Sequence, residues 1–337
     1  MDGFLVLDFT TLLPGPLATQ LMQQAGARVV KVERPGVGDE LRGYEPRIDS
    51  TAVAYTTLNQ GKEILELDLK TGDRSELEKL IHECDVLVEQ FRPGVMDRLG
   101  LGYDDVRKVN PDVVYCSITG YGQTGPLAAI AGHDLNYLAE SGVLSLTNPP
   151  AVPPVLVADI GGGTFPAVAE ILLALLRRER GGGGARIDVA MARNVFNWLS
   201  YQLSSGFLTD EWPGQGDGLT TGGSPRYNLY AAADGRYVAV AALEDKFWAQ
   251  FCLLAGLPET ADRATVAERI AQESAGHWEG LFAGHDTCVN LVRPLQEAVR
   301  HPHFADLFDT PLYRGAPIPR LPLPTGGAPT LQEEPQT

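Results

Sequence analysis

Two stretches hold residues able to move protons or carry an acyl group. The first is PVLVADIGGGT, residues 154 to 164, where one carboxylate, Asp159, stands ahead of three glycines. Two chemistries fit it. A flexible glycine run can wrap the phosphates of a nucleotide. A strand end can instead present Asp159 to a substrate, with glycines that turn the backbone sharply and admit a close neighbour. The second stretch is AGHDLNYLAESGVLSLT, residues 131 to 147, where His133 and Asp134 precede a helical pattern. A histidine and a carboxylate on opposite sides of a carbon acid suit proton transfer at that carbon. A bland reading stands beside each: a lone histidine is more often structural, and Asp159 can simply cap the helix after it.

Context separates the two readings of the glycine run. In actin-like and Hsp70-like ATPases the phosphate-loop glycines sit in a tight hairpin between strands. Here TFPAVAEILLALLRRER follows, a strong helix pattern. The predicted unit is strand, glycine turn, helix, which sets the ATPase reading aside. Asp159 then falls at the carboxyl end of a strand and near a helix start, where open α/β sheets place ligands. His133 and Asp159 lie on consecutive elements of one such unit, so both can reach one pocket.

The elements that must position them follow from the apolar pattern. FLVLDFT, ARVVKVE, DVLVEQF, DVVYCSITGYG, PPVLVAD and ARIDVAM read as strands. Nearly all their residues are apolar, as expected where both sheet faces are covered. PLATQLMQQAG, SELEKLIHEC and TFPAVAEILLALLRRER read as helices between them. Alternating strands and helices predict a parallel sheet with crossover helices. The pattern changes near residue 205, where SSGFLTDEWPGQGDGLTTGGSPR reads as a linker or ordered loop. YNLYAAADGRYVAVAAL then reads as a hairpin turning at Asp234-Gly235, followed by helices to about residue 303. The expected domains are a large one over 1–204, a linker over 205–225, a small one over 226–305, and a Pro-rich tail over 306–337.

The chain has 337 residues, 44% hydrophobic and 21% charged, with a formal net charge of −16. That composition is globular, and the acidic balance argues against nonspecific nucleic-acid binding. The four cysteines, Cys84, Cys116, Cys252 and Cys288, form no CxxC pair and read as reduced thiols, with no metal site. The N-terminus lacks the basic region of a signal peptide. No unbroken apolar run of membrane-spanning length is found, so the expectation is a cytoplasmic protein without a membrane partner.

Several motifs, in order, resemble family III CoA transferases. They are LDFTTLLPGPLATQLMQQAGARVVKVERPGVGD, LNQGKEILELDLKT, VLVEQFRPGVMDRLGLGYDDVRKVNPDVVYCSITGYGQTGP, GHDLNYLAESGVLS, VADIGGGTF and HPHF. GHD followed by VAD and GGG resembles the α-methylacyl-CoA racemase branch. The resemblance implies a Rossmann-like large domain, a smaller α+β domain and two subunits interlocked as a homodimer. In transferase members the residue equivalent to Asp159 is a nucleophile that forms an aspartyl-CoA thioester. In racemase members it is an acid/base with His133 as its partner, Asp134 lies alongside, and Glu244 matches a nearby carboxylate, which would come from the partner subunit. The same resemblance implies that Arg34, Lys62, Arg92 and Arg98 contact the CoA phosphates and Phe91 the adenine. No permanent cofactor is implied, since CoA arrives as part of an acyl-CoA substrate.

Overall fold

The computed structural model describes residues 1–48 and 50–304, so the predicted tail lies outside the described residues. The described residues divide into two compact units, one holding Met1–Ser141 and Pro153–Trp198, the other Gly142–Val152 and residues 199–304.

The first unit is built on six parallel strands: β1 (Leu5–Phe9), β2 (Arg28–Glu33), β3 (Glu63–Glu66), β4 (Val86–Glu89), β5 (Val114–Thr119) and β6 (Ala185–Ala190). Their order across the sheet is β3-β2-β1-β4-β5-β6. From β1 the chain winds one way to β2 and β3, then returns to build β4 to β6 on the other side. The switch point therefore falls at the carboxyl ends of β1 and β4, the place where such sheets bind ligands. In register, Leu7 lies beside Val30 and Leu87, and Asp8 beside Lys31 and Val88. Alternation sends Leu5, Leu7 and Phe9 to one face, where they join Leu77, Leu80 and Ile81 of the helix Ser75–Glu83. Asp8 and Lys31 point to the other face, toward the helix Pro14–Gln24.

One sequence expectation fails here. PPVLVAD is not a strand: Ala158–Thr164 form a π-helical turn that runs into the α-helix Phe165–Glu179. Ala158–Glu179 is a 22-residue helix that, with an 18-residue window of mean hydropathy 1.4, is long and apolar enough to cross a membrane by length and composition, although Asp159 and Glu170 break its apolar run. In this fold it is a sheet-covering helix, with Ala167, Ile171, Ala174 and Leu175 buried toward β5 and β6.

The second unit carries a three-stranded antiparallel sheet, β7 (Tyr227–Ala231), β8 (Tyr237–Ala241) and β9 (Val289–Leu291), with β8 in the middle. Its hairpin turns at Asp234-Gly235, where Gly235 takes φ 78°. Helices Asp245–Ala255, Arg263–Ile270 and Ala275–Phe282 supply respectively Trp248 and Phe251, Val266 and Ile270, and Trp278 and Phe282 to its core. The predicted linker starts inside a helix, Ser200–Thr209.

Candidate active site

The glycine turn explains itself by close approach. A Cβ on Gly162 would fall 2.6 Å from the Met191 carbonyl oxygen, and one on Gly161 2.1 Å from the Trp198 indole. On Gly163 it would meet Met191 Sδ at 3.0 Å and Pro14 Cβ at 3.1 Å. The helix Met191–Asn197 thus lies directly on this turn, and only glycine permits it. The widened turn is a π segment, a form that recurs at functional sites. It carries Asp159 at its start.

Asp159 is held by Asp134. The Asp134 carboxylate is 4% exposed. Its Oδ1 accepts the backbone N–H of Ala158 at 2.6 Å and that of Asp159 at 2.9 Å. Asp134 opens the helix Asp134–Glu140, and His133 stands at that helix's N-cap, its own N–H donated to Asn136 Oδ1 at 3.0 Å. The clamp therefore brings His133, Asp134 and Asp159 together in one unit. Tyr137 of the same helix fills the space that side chains at Gly120 and Gly132 would need, and its hydroxyl donates to the Gly132 carbonyl.

Burial pushes the Asp159 carboxyl up to about 6, and the Asp134 charge adds to the rise, while His133 pulls the other way. A carboxyl near 6 exists in both protonation states around neutrality, which an ordinary aspartate does not. His133 itself is exposed, so it is reachable by a substrate.

The candidate CoA residues divide. Arg34 follows β2, and Phe91 and Arg92 follow β4, so they extend from the strands on either side of β1, at the carboxyl edge of the sheet. Arg98 lies one short helix, Val95–Arg98, further on. All three arginines are exposed, and none joins an ion pair among the described residues. Lys62 is different. Its Nζ is enclosed by Asp8 Oδ2 at 3.1 Å, Thr19 Oγ1 at 2.8 Å, Asn59 Oδ1 at 3.0 Å and the Pro16 carbonyl at 2.9 Å. An ammonium has three protons, so no donor is left for a phosphate, and the expected CoA contact gives way to an internal one. Glu244 is an exposed N-cap of the helix Asp245–Ala255 and belongs to the second unit.

Asp8 and Glu89 are among the buried carboxylates that the sequence reading did not single out. Asp8 is held well below the usual carboxylate range: burial alone would raise it, but Lys31, Lys62 and the hydroxyls of Thr10 and Thr19 outweigh that. Glu89, at the end of β4, accepts the Phe91 N–H at 2.8 Å and so shapes the loop that bears Arg92; burial pushes it to about 7. The available signal was a charge set inside an apolar strand, as in LVLDF and VLVE, since such a charge must find a partner.

Comparison with known proteins agrees with this architecture. A family model described as CoA-transferase family III matches residues 1–329. The chain is 33% identical over 327 residues to an acetyl-CoA:oxalate CoA-transferase of Acetobacter aceti, covering 90% of this chain and 83% of that one. It is 34% identical over 328 residues to the alpha-methylacyl-CoA racemase of Homo sapiens, covering 90% and 80%. A crystal structure of a CAIB/BAIF family protein from Brucella suis superposes with a TM-score of 0.77 at 28% identity, covering 91% of this chain and 87% of that one. With its parallel six-stranded sheet, its separate antiparallel sheet and a match that runs nearly end to end, the chain belongs to CoA-transferase family III, whose members act on acyl-CoA.

Proposed function

We propose that the protein inverts the α-carbon of 2-methylacyl-CoA thioesters by moving a proton between two groups, His133 and Asp159. The observation that carries this reading is the clamp through Asp134. It ties the helix start that bears His133 to the turn that bears Asp159, whose carboxyl lies near pKa 6, and a transfer through an acyl-aspartate would need only the carboxylate.

The thioester carbonyl acidifies the α-carbon. In one direction neutral His133 takes the α-proton and leaves an enolate, and protonated Asp159 returns a proton to the opposite face. In the other direction ionised Asp159 is the base and protonated His133 the acid. The enolate oxygen needs donors. The amides of Ala158 and Asp159 are spent on Asp134, and that of Ile160 on the Leu156 carbonyl. Among the described residues nothing accepts from the amides of Asp134 and Leu135 at the start of their helix, so these supply the oxyanion contact in this reading. Exposed Arg34, Arg92 and Arg98 meet the phosphates of CoA, as charge-assisted pairs. Glu244 of the partner subunit in an interlocked homodimer completes the site, in a cytoplasmic enzyme of lipid metabolism.

The competing reading is a CoA transferase with Asp159 as the nucleophile, and similarity to the oxalate transferase supports it. Incubation of a chiral 2-methylacyl-CoA in heavy water decides. Racemisation predicts deuterium at C2 and loss of optical purity with no second acid present. Transfer predicts that CoA moves to an added carboxylic acid while C2 keeps its proton.

A further inference from the structure

Leu12 holds a left-handed backbone, with φ 62°. A leucine pays in steric energy for that conformation and keeps it only where its surroundings impose it. Here the surroundings are two buried charges. Asp39 Oδ1 accepts the Leu12 N–H at 3.1 Å and the Leu41 N–H at 3.0 Å. Asp39 Oδ2 lies 3.1 Å from Lys31 Nζ, both side chains being 0% exposed. Lys31 Nζ donates in turn to the Thr10 carbonyl at 2.5 Å. One ion pair thus grips the turn Thr10–Leu13 at two points, the carbonyl of Thr10 and the amide of Leu12.

Stability does not account for such a pair. The desolvation of two ions offsets much of their attraction, and a well-packed apolar pair often serves as well. Location gives the better account. The turn leaves β1 at the switch point of the sheet. It enters the helix Pro14–Gln24, whose Pro14 carbonyl accepts the Thr164 hydroxyl at 2.8 Å. Leu12 and Leu13 pack against the same apolar cluster as Ile160, the residue after Asp159. Leu12 is itself only half-buried.

We propose that the Lys31–Asp39 pair is a positioning device that locks Leu12 in its strained conformation, so that the turn forms a fixed apolar wall beside Asp159 for the acyl group. Lys31 and Asp39 touch no substrate, and Leu12 does. The proposal rests on Asp159 being the reacting carboxylate and holds for proton transfer and for acyl transfer alike.

The test uses Asp39→Asn, which removes the charge and keeps the shape, with and without Leu12→Gly. Two readouts are taken: amide hydrogen exchange of the peptide spanning residues 10–13, and steady-state kinetics on acyl-CoA. Asp39→Asn should speed exchange in that peptide and lower kcat by about 10–100-fold, the scale of a small misplacement beside a reacting group. Adding Leu12→Gly should recover at least about tenfold of kcat, because glycine adopts φ 62° unaided. KM of the double variant should lie above that of the wild type, because glycine restores the backbone without the wall. A purely structural pair predicts the opposite, since removing a core-packed leucine would only weaken the variant further. Should Asp39→Asn fail to fold, Lys31→Met/Asp39→Asn takes its place in the same comparison. Unchanged exchange at residues 10–13, or no recovery of kcat on adding glycine, overturns the proposal. If the wild-type protein turns over no acyl-CoA, the proposed reaction fails, and hydrogen exchange alone still decides on the clamp.

Discussion

Asp134 and Asp159 are joined through the backbone: one oxygen of the buried Asp134 carboxylate takes the amide protons of both Ala158 and Asp159. The same charge that fixes the position of Asp159 also raises its pKa. Position and acidity are therefore coupled, and substitutions at Asp134 can separate them.

Asp134→Asn keeps an oxygen acceptor and removes the charge. The Asp159 carboxyl should fall below about 6, though burial keeps it above the ordinary 3.8. The acid limb of the pH–rate profile, for the direction that uses ionised Asp159, should move to lower pH. Asp134→Ala also strands two amides, at a cost of about 1–3 kcal/mol for each that stays unsatisfied. An acid limb that stays in place in Asp134→Asn would show that Asp159 does not govern it.

Asp159→Asn should stabilise the protein, and only above the acid range. The folded-state carboxyl titrates near 6 against an ordinary 3.8. Between those values the folded state holds a proton that the unfolded state has lost, so stability falls as pH rises through that window. The loss is complete above about 6. Asparagine escapes it, with a gain of roughly 1–2 kcal/mol at pH 7 once partial exposure is allowed for. At pH 4, near the bottom of the window, the gain should shrink to about a fifth of that. Urea midpoints at the two pH values measure this, and an equal shift at both would assign the effect to packing.

Lys62→Met should act on folding and not on CoA affinity. It removes a partner of Asp8, both side chains being 0% exposed. Breaking a buried pair from one side costs about 3–5 kcal/mol. Folded Lys62→Met should bind CoA as the wild type does. A selective loss of CoA affinity without a fall in urea midpoint would restore Lys62 to the phosphate site.

Arg92→Ala and Arg98→Ala should weaken CoA-ester binding by about 1.5–3 kcal/mol each. Binding should also weaken with added salt, as exposed charge contacts do. Calorimetric titration with CoA checks both. Unchanged affinity in both variants removes the two residues from the site.

The parallel sheet was legible because its strands are nearly continuous apolar runs, the mark of burial on both faces. VLVAD was misread for the same reason. A short apolar run cannot be told from a buried helical segment by periodicity, and what decides here is the approach of Met191 to Gly162 and Gly163, a contact between distant parts of the chain. The helix Ser200–Thr209 was missed because serines and a glycine weaken its propensity, and its apolar Phe207 and Leu208 are exposed, so no buried stripe marks it. His133 and Asp159 stand out in the sequence by residue type and motif. Their linkage through Asp134 does not, because a side-chain acceptor for a remote amide leaves no trace in spacing. Lys62 shows the reverse fault, since a lysine in a loop motif looks the same whether it faces solvent or Asp8.

The two-base reading makes its sharpest prediction on separate enantiomers. If His133 and Asp159 stand on opposite faces of the α-carbon, each removes the proton of one enantiomer. His133→Ala should abolish racemisation, because a full cycle needs both groups. It should still exchange the α-proton of the enantiomer that faces Asp159, with retention. Asp159→Asn should show the opposite preference. Loss of a positioned acid or base costs about 10²–10⁴-fold, so the remaining exchange is slow and measurable. Each pure enantiomer is given to each variant in heavy water, and deuterium at C2 is followed by mass spectrometry. Equal loss of exchange for both enantiomers in both variants would contradict a two-base mechanism. Hydroxylamine trapping then tells a nucleophilic Asp159 from a structural one, because only an acyl-aspartate or aspartyl thioester yields a hydroxamate at that position.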